Sequence, residues 1–102
     1  VNGRRYGQFD PARPFHDWTA PFGAFAPAPL FALQMQRYCH EFGTRPEHFA
    51  EVALAFRAHA TRNPRAVLRE RPLDRAQYFA SPMLAEPYRR ADCCLETDGA
   101  CA

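Results

Sequence analysis

Hydrophobic residues recur every three to four positions between residues 29 and 62, which is the spacing of amphipathic helices. The pattern predicts a first helix from Pro29 to Gly43 and a second from Thr44 to Asn63. Proline suits the first turn of a helix, and glycine readily takes the left-handed conformation that ends one. We therefore expect a helical hairpin with a very short corner.

Each predicted helix has one apolar face that we expect to point inward. Thr44 is expected to cap the second helix, with Glu47 completing a capping box, and Pro64 to end it. The two faces consist of Phe31, Met35, Tyr38 and Phe42 on the first helix and of Phe49, Val52, Ala53, Phe56 and Ala60 on the second.

A third, shorter helix is predicted after a basic loop at residues 64–72. Leu73 and Asp74 begin this helix, because an acidic side chain is favourable near the positive end of a helix. Ser81 followed by Pro82 ends it, since the residue before proline resists the helical conformation.

Residues 1–28 contain too many prolines for a regular helix. They also contain too many aromatic residues for a solvated linker. We therefore predict an extended N-terminal segment that wraps along another surface. Its aromatic residues are Tyr6, Phe9, Phe15, Trp18, Phe22 and Phe25.

The last residues have the pattern of a strand that stops. Residues 92–95 form a short apolar run, Asp98-Gly99 is a turn signal, and residues 100–102 open a second strand of small residues. A buried strand needs neighbours on both sides, and no sheet is evident upstream. We therefore expect the chain to be a piece of a larger protein, and its start at Val1 without a leader pattern agrees.

Composition and charge narrow the class of protein. Of the 102 residues, 47% are hydrophobic and 14% aromatic, which is too apolar for a disordered chain and leaves room for one small domain. No run approaches the length of a membrane span. Thirteen basic and eleven acidic residues are interspersed, so a nucleic-acid surface is not indicated. All basic residues are arginines, which fits an arginine-biased genome at least as well as phosphate binding.

Reaction machinery is not evident in the sequence. It contains no glycine-rich phosphate loop, nucleophile elbow or HExxH motif. The four cysteines lack zinc-site spacing, and we interpret them as buried free thiols in a reducing cytoplasm. We therefore predict no catalytic or metal-binding residue here, and this chain alone is not expected to be an enzyme. The cysteines are Cys39, Cys93, Cys94 and Cys101.

Arginines and aromatic residues together suggest a lid that closes over an amphipathic ligand. Guanidinium groups bind phosphates through paired hydrogen bonds, and aromatic rings suit an apolar channel. The alternative is a solvated basic loop and ordinary core aromatics. The candidates are Arg62, Arg65, Arg69 and Arg71 for phosphates and Phe22, Phe25 and Phe31 for the channel.

Several short elements occur in order along the chain: Phe22-Gly23-Ala24-Phe25, Phe31-Ala32-Leu33, Arg37-Tyr38-Cys39-His40-Glu41-Phe42-Gly43-Thr44, Glu47-His48-Phe49-Ala50, Asn63-Pro64, Asp92-Cys93-Cys94 and Thr97-Asp98-Gly99-Ala100. On these elements the chain resembles the thiolase superfamily, from about Tyr6 to Ala102. Within it, the chain is similar to the sterol-carrier-protein-x or nonspecific lipid-transfer branch, which includes thiolase-like aldolases of steroid side-chain breakdown.

The resemblance implies a mainly α lid fragment. Residues 1–91 would be the loop or lid region of the N-terminal half, and residues 92–102 the start of the strand that returns to an αβαβα core. It implies an enzyme parent, either a thiolase-like acyltransferase or a retro-aldol lyase, with catalytic residues outside this chain. The implied substrate is an acyl-CoA or steroid-CoA thioester, with no covalently bound cofactor. The implied partners are the rest of the core and further subunits, as a homo-oligomer or heteromer.

By resemblance, the lid contributes to the CoA-thioester pocket. Biosynthetic thiolases carry a His-Met pair near the position of Phe22 to Phe25, and its absence here favours a bulkier substrate or retro-aldol chemistry. Two alternatives stay open, namely a free-standing helical module that binds lipid or a partner, and an inactive paralogue in a heteromeric complex. The implied pocket residues are Phe22, Gly23, Phe25, Phe31 and Met35, with Arg65 and Arg69 for coenzyme A.

Overall fold

The structure is a computed structural model that describes residues 16–24 and 26–95. This part of the chain is mainly helical and carries one two-stranded antiparallel sheet. None of its helices is both long enough and apolar enough to cross a membrane. In chain order the elements are α1 (His16–Thr19), a 3-10 helix (Ala20–Phe22), α2 (Pro27–Phe42), α3 (Pro46–Arg62), α4 (Arg75–Ala80), β1 (Met83–Ala85), β2 (Tyr88–Arg89) and a second 3-10 helix (Arg90–Asp92).

The predicted ends of the long helices are largely confirmed. Gly43 has φ of 64°, the left-handed conformation that closes α2. Asn63 is extended ahead of Pro64, so α3 ends where the proline forces it to. The start of α2 was predicted two residues late, because Pro27 rather than Pro29 supplies its first turn.

The predicted cap of α3 is wrong by one residue. Arg45, not Thr44, is the N-cap, and Pro46 is the first helical residue. Proline holds the residue before it in the extended region, so Arg45 cannot be helical itself. The N–H of Arg45 donates to Nδ1 of His48 at 3.2 Å, which replaces the expected contact with Glu47.

The expectation that the two apolar faces point inward is also wrong. Phe31 is 57% exposed and Phe56 is 71% exposed, whereas Ala32 and Ala50 are 4% and 0% exposed. Neighbouring residues on a helix point about 100° apart, so each helix buries the flank beside its predicted face. The small alanine side chains allow neighbouring elements to approach this flank closely.

The two long helices share the predicted short corner but have different packing partners. Helix α2 packs on β1, while α3 packs on α4 and on the 3-10 helix at residues 90–92. Contacts between α2 and α3 are few. The predicted hairpin is therefore better described as two helices that are joined by a short corner and pack on different elements.

The third helix forms as predicted. Oδ1 of Asp74 accepts from the N–H of Gln77 at 2.7 Å, and the side chain of Gln77 accepts from the N–H of Asp74 at 3.0 Å. This reciprocal capping box satisfies donors at the first turn of α4. The helix ends at Ala80, with Ser81 extended ahead of Pro82.

The extended N-terminal segment is wrong where the structure describes it. Residues 16–22 form two short helical turns, because Pro21 occupies the first turn of a 3-10 helix, a position that proline tolerates. Gly23 then ends this helix with φ of 75°. Residues 1–15 and Phe25 lie outside the described residues.

A small β-hairpin was not predicted from the sequence. Met83 pairs with Arg89 and Ala85 with Tyr88, and strands this short show no alternation in the sequence. The apolar strand expected at residues 92–95 is wrong, since Asp92 ends a 3-10 helix and the next three residues have no regular structure. Residues 96–102 lie outside the described residues, so the returning core strand stays a prediction.

Candidate functional site

An apolar groove of about 590 Å³ lies between α3 and the residues that follow β2. Its volume falls within the range of small-molecule pockets. Helix α3 supplies one wall because its apolar side chains recur at helical spacing, which is the face that we expected to be core. Lining residues include Met35, Phe49, Val52, Phe56, Leu68 and Leu95.

Three polar side chains interrupt this apolar lining: Arg57, Tyr88 and Asp92. Nη1 of Arg57 donates to the carbonyl oxygen of Arg71 at 2.7 Å, so this guanidinium supports the basic loop. The ring of Tyr88 meets that of Phe49 edge to face, with centroids 6.1 Å apart. Tyr88 and Asp92 are therefore the polar groups of the groove that are not committed to the loop.

The carboxylate of Asp92 is held in place from two directions. The hydroxyl of Tyr78 donates to its two oxygens at 2.9 and 3.0 Å, and the N–H of Arg89 donates to Oδ2 at 2.7 Å. Tyr78 is 1% exposed. Burial, followed by its hydrogen bond with Asp92, raises the pKa of Tyr78 well above its usual range. The phenol therefore stays protonated and remains the hydrogen-bond donor to Asp92.

Arg89 fastens the hairpin to the end of α4. Its Nη1 donates to the carbonyl oxygens of Phe79 and Ser81, both at 2.9 Å, and the guanidinium lies 5.7 Å from the centroid of the Phe79 ring. The N–H of Ala91 donates to Oγ of Ser81 at 3.2 Å. These contacts fix residues 89–92, and with them the polar side of the groove.

The groove also contains thiols. Burial, followed by the charge of Asp92, raises the pKa of the Cys93 thiol. Burial is the largest cause that raises the pKa of Tyr88, and Asp92, Cys39 and Cys93 raise it further. A neutral thiol is a weak nucleophile, so Cys93 is not suited to covalent catalysis here. Cys39, Cys93 and Cys94 are free thiols, but the expectation that they are buried is wrong, because Cys39 and Cys93 are half-buried and Cys94 is exposed. Cys101 lies outside the described residues.

The basic loop forms a separate depression of about 390 Å³ beside the end of α3, lined in part by Arg62 and Arg69. Arg69 donates to Oε1 of Glu70 at 2.9 Å and to the carbonyl oxygen of Pro64 at 3.4 Å. Arg65 is exposed, and within the described residues its guanidinium has no polar partner. Of the two arginines predicted for coenzyme A, Arg65 is thus the one whose charge is unpaired.

The other predicted pocket residues are not brought together by the described residues. Met35 lines the groove. Phe22 is 86% exposed, and neither it nor Gly23 nor Phe31 lines the groove. Phe25 lies outside the described residues. The pocket formed by these five residues stays a prediction.

Sequence reasoning missed the polar pair of Tyr88 and Asp92. The Asp-Cys-Cys element was visible, but nothing local in the sequence links Asp92 to Tyr78. Metal chemistry was not predicted, and within residues 16–24 and 26–95 no cluster of three or more His, Cys, Asp or Glu side chains suits a metal ion.

Known proteins match nearly the whole of this chain. It is 40% identical over 82 residues to a steroid side-chain-cleaving aldolase of Thermomonospora curvata, covering 80% of this chain and 21% of the relative. It is 35% identical over 109 residues to a 17-hydroxy-3-oxo-4-pregnene-20-carboxyl-CoA lyase of Mycobacterium tuberculosis, covering 99% and 28%. An acetyl-CoA acetyltransferase of Methanothermobacter thermautotrophicus is 35% identical over 86 residues, covering 84% and 22%.

A solved structure, named Ltp2-ChsH2(DUF35) aldolase, has the same fold over 93% of this chain and 25% of its own, with a TM-score of 0.78 and 36% identity. The thiolase-like resemblance is confirmed. No family model matches the chain. This thiolase-like segment spans about a quarter of the length of the relatives that it matches.

Proposed function

We propose that this chain is the lid and substrate-pocket segment of a thiolase-like enzyme that acts on acyl-CoA or steroid-CoA thioesters. The observation that carries the proposal is the alignment of 99% of the chain with a steroid-CoA lyase, together with the TM-score of 0.78 to an aldolase. In this role the chain supplies binding surface, and the rest of the core supplies the catalytic groups. A lid excludes water from the reacting carbonyl and orients the thioester.

The exposed apolar surface favours the lid hypothesis and argues against a free-standing module. Large exposed side chains include Phe22, Phe31, Phe42 and Phe56, whereas the buried hydrophobic residues among those described are three alanines and Tyr78. A small chain that folds alone needs most of its apolar surface in its own core. Extended exposed apolar surface is typical of a face that packs against other protein or ligand.

Retro-aldol cleavage is the reaction that we propose first. A base removes the proton from the hydroxyl of a β-hydroxy thioester, the Cα–Cβ bond breaks, and a ketone forms. The electron pair moves to the thioester as an enolate, which takes up a proton to give the shortened CoA ester. The relatives named aldolase and lyase favour this chemistry. Acyl transfer is the second candidate, favoured by the acetyltransferase relatives.

We further propose that the basic loop meets the phosphates of coenzyme A. Arg65 offers an unpaired guanidinium, and Arg69 would have to share its charge with Glu70. Paired hydrogen bonds from arginine suit phosphate oxygens. The parent protein would work as a homo-oligomer or a heteromer. The name Ltp2-ChsH2 of the similar structure joins two components, which favours the heteromer.

The test is turnover by the full-length protein, purified alone and with co-expressed partners. A steroid-CoA β-hydroxy thioester and acetoacetyl-CoA with free coenzyme A are supplied in parallel, and products are identified by mass spectrometry. We expect a ketone and a shortened CoA ester from the first substrate. Acetyl-CoA from the second alone would favour acyl transfer, and no reaction with either would contradict both proposals and favour an inactive paralogue.

A further inference from the structure

We propose that Tyr88 and Asp92 form a subsite that binds an alcohol group of a ligand whose remaining body is apolar and fills the groove. The inference deepens the proposed function and rests on it, because the ligand would be the acyl or steroid part of the CoA thioester. It states which functional group of that part this chain recognises.

The lining of the groove selects the body of this ligand. Aliphatic, aromatic and thiol side chains from α3, from the basic loop and from residues 91–95 form most of its surface. Pockets of this kind bind through apolar burial and obtain orientation from a few polar groups. Since Arg57 is held by the carbonyl of Arg71, Tyr88 and Asp92 are the polar groups left for orientation.

The pair offers one donor and one acceptor in the lining of the same groove. The Tyr88 hydroxyl makes no polar contact with the residues that the structure describes, and burial, followed by the charge of Asp92, raises its pKa. Since that pKa is raised, the phenol remains a donor at neutral pH. An alcohol can donate one hydrogen bond and accept another, so it satisfies both groups at once. A ketone can only accept, and a hydrocarbon can do neither.

The acceptor is fixed before any ligand arrives. A carboxylate has about four lone-pair positions. The Tyr78 hydroxyl and the N–H of Arg89 occupy part of them, which leaves capacity for a further donor. Arg89 in turn is held by the carbonyls of Phe79 and Ser81. Groups held by packing and by outer hydrogen bonds lose less entropy when a ligand binds.

The test compares two steroids that differ in one group, testosterone with a 17-hydroxyl and androstenedione with a ketone at the same carbon. Binding to the full-length protein is measured by calorimetry. A hydrogen bond to a charged group favours the alcohol by about 10-fold or more. The variant Tyr88→Phe keeps the ring against Phe49 and should bring this ratio close to one, while the exposed Tyr38→Phe keeps the wild-type ratio.

The outcomes separate this inference from the proposed function. A ratio near one in the wild type, or an unchanged ratio in Tyr88→Phe, overturns the subsite. If thioester turnover is present in that case, the proposed function still stands. If the ratio responds as expected while turnover is absent, the subsite is supported and the proposed function is wrong. Near-ultraviolet circular dichroism of each variant checks that it folds like the wild type.

Discussion

Two regions of this chain differ in how completely the chain's own residues provide hydrogen-bond partners and cover apolar side chains. Around the end of α4, the hydroxyl of Tyr78 and the main-chain N–H of Arg89 both donate to Asp92, and the guanidinium of Arg89 donates to the carbonyls of Phe79 and Ser81, which gives a closed network. Along α2, by contrast, large apolar side chains such as Phe31 and Phe42 are exposed. The first region is therefore satisfied by the chain's own residues, whereas the second leaves apolar surface that, under the proposed function, other protein or the ligand covers.

The largest expected effect concerns the closed network. Tyr78→Ala removes a buried ring and leaves Asp92 without its hydroxyl donor, so unfolding of the full-length protein should become easier by about 3–5 kcal/mol. Urea denaturation measures this change. Val67→Ala removes an exposed side chain from the basic loop and serves as the control. Equal losses from the two variants would contradict the assignment of Tyr78 to a closed network.

The next effect tests the exposed side directly. If other protein covers the α2 face, Phe42→Ala should cost about 2 kcal/mol or more, as in a core, whereas a truly exposed site stays within about 0.5 kcal/mol. The measurement is again urea denaturation of the full-length protein. Arg37→Gln, on the same helix with an exposed ion pair to Glu41, is the control and should change little.

The sequence predicted best those features that depend on neighbouring residues. Gly43, the Asn63-Pro64 step and the Asp74 cap each act through the local backbone, so the ends of the helices could be predicted. The buried flank could not, because the choice between Phe31 and the adjacent Ala32 depends on which element packs there. Likewise the bond from Tyr78 to Asp92 joins residues 14 apart, and no local pattern encodes it.

The candidate site was predicted unevenly for a similar reason. The resemblance to a thiolase-like branch lies in short ordered elements, and these were visible in the sequence. The groove forms where α3 meets the residues after β2, and the strands of that hairpin are too short to leave a periodic signal. Met35 was the predicted pocket residue that lines the groove.

The free energy of unfolding should depend on pH through Tyr78, which belongs to the closed network. The pKa of Tyr78 is higher in the folded protein than in the unfolded chain, so its contribution to stability is complete below about pH 10. As the pH rises further, the unfolded phenol loses its proton and the folded one does not. The free energy of unfolding should therefore fall, as linkage requires. Tyr78→Phe should lose this part of the decline, and an unchanged alkaline slope would contradict the assignment.

The smallest expected effect concerns the basic loop. Arg65→Gln should weaken binding of a CoA thioester by about 3- to 10-fold, and by less at high salt, because its guanidinium is unpaired. Arg69→Gln should have a weaker effect, since Glu70 already offsets its charge. Calorimetry over a range of ionic strengths measures both. A salt-independent loss, or a larger loss from Arg69→Gln, would contradict this ranking.

The most direct measurement of the lid proposal is carbene footprinting of the full-length protein with and without a steroid-CoA thioester. We predict that labelling falls on the groove face of α3, at Val52 and Phe56, when the thioester is added. It should stay constant at Leu33, an exposed residue of α2 that does not line the groove. Unchanged labelling of Val52 and Phe56 at a saturating thioester concentration would contradict the proposal that this groove receives the substrate.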